Sequence, residues 1–454
     1  MSGKTNGKPI RLGLAGIWFQ SFWAFRQEQY TQRAKRLGKV AKALGMSFSA
    51  VPKAFQDADA AVAAAKRLNA KADLVVLDVT CFPEGKAAGA FFDTLVPPLV
   101  LWGRDETTHN DHIGHNSFCG VNFLAGNLAL RGQRFRTLYG SCTAPQFKAR
   151  LRTAGRLVGA AKAAAGSRIG LFGGGIVPKF YDIDILPADR ALLKKRWGIE
   201  FVEVALPDLV KRAEKCKAGD VDEALALMKR QFGSIEIDAE SQAKIARLML
   251  AMKSESQRRR FAAVAVRCWP EFQQIYGVWP CVPISMLNEM GIPAACEGDP
   301  AGALDMLLAA QLAKGPATLL DIVDWDDKRD TISIWHCGPT ACSWARRGTA
   351  AVVAHGVDGA TPKGTAADGL PAIVDLDFRP GPATVFRTLG AVDDEFVVQG
   401  KLIDPDGNRI HGSYGCLAQP TVYGQPTNVQ QVRQQILDRA LPHHYTAARG
   451  HLFK

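Results

Sequence analysis

The stretch Gly291-Ile-Pro-Ala-Ala-Cys-Glu-Gly-Asp-Pro-Ala-Gly-Ala-Leu-Asp-Met-Leu307 reads as a short buried strand that ends in an acid and turns into a helix. Asp299 followed by Pro300 marks the helix start. An aspartate accepts hydrogen bonds from the free amides of a first turn, and proline lacks the amide that would go unpaired there. Gly315 closes the same helix. Glu297 then stands at the carboxyl end of an apolar strand, where open α/β sheets bind ligands. The next strand-like run, Thr318-Leu-Leu-Asp321-Ile-Val, carries a second acid, and Thr331-Ile-Ser-Ile-Trp-His336-Cys-Gly ends in a histidine.

Two carboxylates and an imidazole on successive elements are a ligand set for a divalent ion such as manganese, magnesium or zinc. Taken singly, Asp321 reads as a turn cap, Glu297 as the partner of an arginine and His336 as a satisfied core residue. Taken together they favour a shared site, because burying two unpaired carboxylates is costly.

Working outward, 454 residues suggest roughly three domains of about 150 each. With 47% hydrophobic and 22% charged residues the composition is that of a globular enzyme and argues against disorder. No apolar run reaches the ~18 residues needed to span a bilayer. The opening residues lack the apolar core of a secretory signal, so the expectation is a cytoplasmic protein with no membrane partner. The ten cysteines are scattered without a Cys-x-x-Cys pair and read as reduced thiols.

A net charge of +12 admits nucleic acid, a membrane surface or an anionic substrate. The basic clusters Arg33-Ala-Lys-Arg36, Lys194-Lys-Arg196 and Arg258-Arg-Arg260 lie in helix-like segments, as solvated helix faces do. None is interleaved with aromatics as a strand-binding groove would be. Nucleic acid is therefore not expected as a partner, whereas an anionic sugar derivative remains compatible with the charge.

Strands at Pro9–Gly16, Ser47–Val51, Leu74–Thr80 and Pro98–Trp102 alternate with helical segments, the pattern of a doubly wound parallel α/β domain over residues 1–140. Trp18 lies in an aromatic stretch after the first strand, which offers either a sugar-stacking face or core packing. The loop from Arg104 to Gly120 holds His109, His112 and His115, and reads as a polar loop reaching a ligand rather than a metal cluster of its own. A second doubly wound domain spans 141–325, with strands Ser167–Phe172, Gly198–Val204 and Phe261–Val266 and the acids at 297 and 321 completing its sheet. Its Gly173-Gly-Gly175 turn has Pro178 in place of the third glycine of a dinucleotide fingerprint, which speaks against NAD. From 326 to 454 short strand-like segments between glycine, proline and aspartate turns indicate a β-rich C-terminal domain. It ends in Pro442-His-His-Tyr445, where His443 and His444 read equally well as an exposed tail pair or as functional residues.

Cys268-Trp-Pro-Glu271, Pro280-Cys281, Ala295-Cys-Glu-Gly-Asp299, Asp321, His336-Cys-Gly338 and Pro442-His-His-Tyr445 together resemble the L-fucose isomerase and L-arabinose isomerase superfamily, in its shorter, fucose isomerase-like branch. The resemblance covers the whole chain and implies two α/β domains followed by a β-rich domain. It implies a manganese-type ion held by Glu297, Asp321 and His444, with His443 beside them. His336 is a further ligand in the manner of the arabinose branch, or a neighbour in that of the fucose branch. It also implies a homo-oligomer, often a hexamer, in which the first domain of one subunit helps close the site of another and gives His112, His115 and Trp18 a role at the sugar substrate. The activity expected is aldose–ketose isomerisation through a cis-enediolate, with Glu297 and Asp321 serving as ligands and proton carriers. The alternatives are another metal–enediolate enzyme, an epimerase or retro-aldol enzyme acting on a sugar acid, and a non-catalytic sugar-binding protein.

Overall fold

Every residue of strand Leu74–Val79 is buried, as expected of a strand covered on both faces. It stands at the centre of an all-parallel sheet in the order Ser47–Ala50, Arg11–Ile17, Leu74–Val79, Leu99–Gly103, Phe135–Tyr139. Side chains alternate across the sheet with the period of two that a strand imposes. Leu74, Val76, Val100 and Trp102 pack on one face against Leu37, Phe147 and Leu151. Val75, Leu77, Leu99 and Leu101 pack on the other against Leu68, Phe91 and Leu124. The strand order reverses between Arg11–Ile17 and Leu74–Val79, and such a reversal leaves a crevice at the carboxyl edge.

The structure is a computed structural model that describes residues 9–20, 26–109, 112–173, 187–268, 271–354, 372–388, 395–405 and 409–453. The sheet above belongs to one compact unit, Met1–Lys162, and the rest of the chain to a second, Ala163–Phe453. Trp269 and Pro270, and the glycine turn beyond Gly173, lie outside the described residues. No helix among those described is long and apolar enough to cross a membrane.

The second unit contains a four-stranded parallel sheet in the order Ala294–Ala295, Ala263–Val266, Arg168–Phe172, Glu200–Val204. Beside it in sequence comes a larger, mostly antiparallel sheet. Within that sheet Ser413–Val422, Thr331–His336, Thr318–Asp326, His444–Arg449, Gly381–Arg387 and Phe396–Ile403 pair antiparallel in turn, and the last pairs back to the first. These strands close a ring, which removes free edges.

One expectation is corrected here. The Asp321 strand does not complete the second parallel sheet; it is a strand of the ring. Thr318–Asp326 returns through a tight turn in which Asp326 Oδ1 accepts from the amides of Lys328 and Arg329, both at 3.0 Å. A turn this short lacks the crossover that parallel pairing needs, so Thr331–His336 comes back antiparallel.

Candidate active site

Glu297 lies two residues beyond strand Ala294–Ala295, with a backbone φ of 59°. That left-handed conformation is uncommon for a residue with a side chain, and structures retain it where the surroundings over-determine it. Here the next two residues fix it. Gly298 donates its amide to Val266 O at 2.8 Å. Asp299 caps helix Pro300–Ala313 by accepting from the Gly302 amide at 2.8 Å.

Asp299 has a second task that the capping pattern did not reveal. Its Oδ2 accepts from Arg387 Nη1 at 2.7 Å, and the same oxygen lies 3.2 Å from His444 Nδ1. Arg387 closes strand Gly381–Arg387 and is fully buried. Burial alone would raise the Asp299 carboxyl, but the Arg387 and His444 charges outweigh it and hold the group well below the usual carboxylate range. Asp305, one helical turn and a half further on, accepts from the Thr388 amide at 3.1 Å, and burial pushes its carboxyl up to about 6.

His444 opens the last strand of the ring and stands opposite Asp321 in register. With Nδ1 turned to Asp299, its Nε2 lies 3.1 Å from Glu297 Oε2. A carboxylate on one nitrogen fixes the orientation of the ring and presents the other nitrogen, the arrangement common to metal-ligating histidines. Burial opposes a charge on this ring, yet the contacts to Asp299 and Glu297 win and lift the imidazole well above its ordinary value. In the metal-free chain the two carboxylates thus favour the protonated ring.

The ring of His336 is 5.8 Å from that of His444, and the ring of His443 is 4.3 Å away. His336 Nδ1 accepts from the Cys337 amide at 2.8 Å, while its Nε2 is buried without a hydrogen-bond partner. Asp321 Oδ1 is likewise sealed from solvent and unpartnered. Burial raises the Asp321 carboxyl even though His336, His444 and His443 pull it the other way. Burial would lower His336, but Cys337, Asp321 and Glu297 bring it up to about 9.

Ligand atoms of Glu297, His443 and His444 lie within 4.8 Å of one another, as do those of Cys296, Glu297, His336 and Cys337. Buried polar atoms without partners are rare, and Asp321 and His336, close enough to shift one another's ionisation, supply one each, a carboxylate oxygen and an imidazole nitrogen of the kinds that ligate a cation. The donor set fits a divalent ion, with two thiols at its border.

The structure thus gathers Glu297, Asp321, His336, His443 and His444. It leaves Trp18, His112 and His115 in the first unit, where His112 is exposed in a two-residue ladder with His109 and His115 is buried against Thr107. Sequence reasoning missed Arg387, the second task of Asp299 and the thiols of Cys296 and Cys337. An arginine ending the apolar run Ala383-Thr-Val-Phe-Arg387 was the one available signal.

Gly338 holds the loop after His336. It has φ of +132°, and a Cβ added there would meet Ile373 Cβ at 2.7 Å and Val374 N at 2.8 Å. Gly338→Ala is expected to destabilise by about 2 kcal/mol or more, since both backbone conformation and a neighbouring strand resist it. Urea unfolding of the two proteins measures this.

No protein-family model matches the chain. The chain is similar to the sulfoquinovose isomerase of Priestia aryabhattai, 26% identical over 364 residues that cover 78% of each protein. It is similar to the sulfoquinovose isomerase of Alkalicoccus urumqiensis, 25% identical over 386 residues, covering 84% of this chain and 82% of the relative. The sulfoquinovose isomerase of Clostridium sp. (strain MSTE9) is 35% identical over 162 residues, about a third of each chain (35% and 34%). Likeness to several sugar isomerases, two of them matched over most of the chain, joined to a site of carboxylates and imidazoles, makes this protein an enzyme of carbohydrate metabolism, an aldose–ketose isomerase and hence an intramolecular oxidoreductase.

Proposed function

We propose that the chain is a divalent-metal-dependent isomerase whose substrate is an anionic hexose of the sulfoquinovose kind. The observation that carries this reading is the meeting of Glu297, Asp321 and His444, from three separate stretches, beside a carboxylate oxygen and an imidazole nitrogen that have no partner. The substrate follows from the relatives' sulfonated sugar and suits a net charge of +12.

Glu297, Asp321 and His444 would hold a manganese-type ion, with magnesium and zinc as alternatives, His336 at its side and His443 at the rim. Bound there, the ion supplies Lewis-acid stabilisation of negative charge on the sugar's carbonyl and adjacent hydroxyl oxygens. Isomerisation moves a proton between neighbouring carbons and needs a base and an acid. Glu297 takes the proton from the carbon beside the carbonyl, and Asp321, as the second carrier, returns one to the carbonyl carbon. Asp299 and Arg387 keep the His444 ring in place, and the buried thiols of Cys268, Cys281 and Cys296 keep water from that side. Assembly into a homo-oligomer, hexameric by the resemblance, belongs to the same reading, and light scattering checks it.

Metal analysis of the purified protein tests the core of the proposal without any choice of sugar. Stoichiometric divalent metal is expected in the parent and is lost in Glu297→Ala and His444→Ala; a parent that stays empty after reloading overturns it. The pH dependence has a definite sign. The His444 contacts to Glu297 and Asp299 stabilise the metal-free fold fully below the ordinary histidine value, and that stability fades as pH rises through the raised one. Metal must displace the same proton, so metal affinity climbs with pH by up to about tenfold per unit below the raised value. In His444→Asn, titrations of metal affinity at several pH values are expected to show a flatter slope.

A further inference from the structure

At the carboxyl edge of the first unit's sheet the chain leaves one guanidinium without an anion. Arg104 directly follows strand Leu99–Gly103, its Nη1 is sealed from solvent, and no hydrogen bond or ion pair reaches its side chain among the described residues. The carboxylates near it are already committed. Asp78, fully buried, accepts from Arg33 Nε and Nη2 at 2.8 and 2.7 Å. Glu106 accepts from the backbone amides of Gly114, His115 and Asn116 at 3.1, 2.8 and 2.5 Å.

His115 adds a second unpartnered group. It is 1% exposed, its Nδ1 lies 2.8 Å from Thr107 Oγ1 and 3.7 Å from Glu106 Oε1, and its Nε2 is buried with no partner. Burial, and then the charges of Arg104 and Arg33, hold the ring below the ordinary histidine range although Glu106 opposes them.

The backbone gathers these groups firmly. Arg104 N donates to Ser117 Oγ at 3.1 Å, Ser117 Oγ donates to Val79 O at 2.5 Å, and Phe82 N donates to His115 O at 2.9 Å. The ends of strands Leu74–Val79 and Leu99–Gly103 and residues 106, 107 and 114–117 thereby converge next to the reversal of strand order, where α/β sheets take ligands. A part-buried cation with no carboxylate paired to it directly is costly. A compact oxyanion is its natural complement, because a planar guanidinium donates two parallel N–H bonds to such a group.

We propose that Arg104, with Arg33 and His115 around it, forms a binding site for a tetrahedral oxyanion of sulfonate or sulfate chemistry. Two sources are distinguishable, the sulfonate of the sugar substrate and a free inorganic anion. The first rests on the substrate reading above; the site itself does not.

The test is calorimetric titration of the intact protein with sodium sulfate at constant ionic strength, beside the KM for a sulfonated hexose, in the parent, Arg104→Met and Arg104→Lys. Sulfate is expected to bind the parent, to weaken at least twentyfold in Arg104→Met and to recover in part in Arg104→Lys, whose charge also guards against a folding artefact. A KM that rises at least tenfold in Arg104→Met assigns the anion to the substrate. Unchanged KM with lost sulfate binding supports the site for a free oxyanion. Sulfate binding without any turnover of the sulfonated hexose keeps the site and removes only the substrate reading. A parent that binds no sulfate, or an Arg104→Met variant that binds it undiminished, overturns the proposal.

Discussion

Glu297→Gln is expected to lower turnover of aldose–ketose exchange by about 10³-fold or more while leaving the protein folded. The change keeps the shape of a side chain held at a φ of 59° and removes only its charge and its basicity. General acid–base groups contribute about 10²–10⁴-fold, and the loss of a charged ligand weakens metal on top of that. Three contacts say why no neighbour substitutes. Asp299 is occupied by Arg387 and by the amide that caps its helix. Asp321 stands on the ring strand opposite His444 and already serves as the second proton carrier. His444 is itself positioned, not free to swing. The measurement is the rate at which the carbon-bound proton of the sugar exchanges with deuterated water, at saturating metal. Full exchange in the metal-loaded variant would remove Glu297 from the chemistry and leave it as a ligand alone.

The acids of the site were legible because of what surrounds them. An acid after an apolar strand and before a capped helix has few structural uses, and Glu297 stood out for that reason; Asp321 and His336 did so as polar residues in apolar runs. Their sheet was not legible in the same way. A run of Thr, Leu, Ile and Val suits a parallel or an antiparallel strand equally, and only the shortness of the turn at Asp326 to Thr331 decides between them. The ring is less legible still, since its closure depends on Phe396–Ile403 meeting Ser413–Val422 in a register that no local pattern carries. His444 entered through resemblance rather than residue chemistry. Two adjacent histidines near a terminus become informative only when strand pairing sets one of them against Asp321, 123 positions earlier in the chain. Asp299 shows the opposite failure. Its helix cap accounts for it fully within the local sequence, whereas its second partner, Arg387, lies 88 residues away.

That partner yields the largest expected effect on stability. Arg387→Met should destabilise the protein by about 3–5 kcal/mol, the cost of stripping a buried ion pair of one member. The arginine's side chain is 2% exposed and that of Asp299 3%, so neither charge has water to fall back on. Two carboxylates depend on it: Asp299 at 2.7 Å, and Asp305, whose Oδ2 lies 4.0 Å from Arg387 Nε. Without the guanidinium, Asp299 keeps His444 and the Gly302 amide, and Asp305 keeps Thr388. Asp305 then meets burial without its main opposing charge, and its carboxyl, already pushed up to about 6, rises further and stays protonated. The variant should therefore recover part of its stability on acidification through the range where Asp305 binds its proton, whereas the parent gains less. Asp305→Asn in the Arg387→Met background separates the two carboxylates: it should remove this pH-dependent recovery and leave the loss at Asp299. Urea unfolding at pH 5 and pH 8 for the parent, the single variants and the double variant measures each term. A loss under about 1 kcal/mol, with no coupling between the two substitutions, would mean that the buried pair is replaceable by packing alone. A full loss carries a functional consequence as well, because Arg387 and Nδ1 of His444 share Oδ2 of Asp299, and metal affinity should fall along with stability.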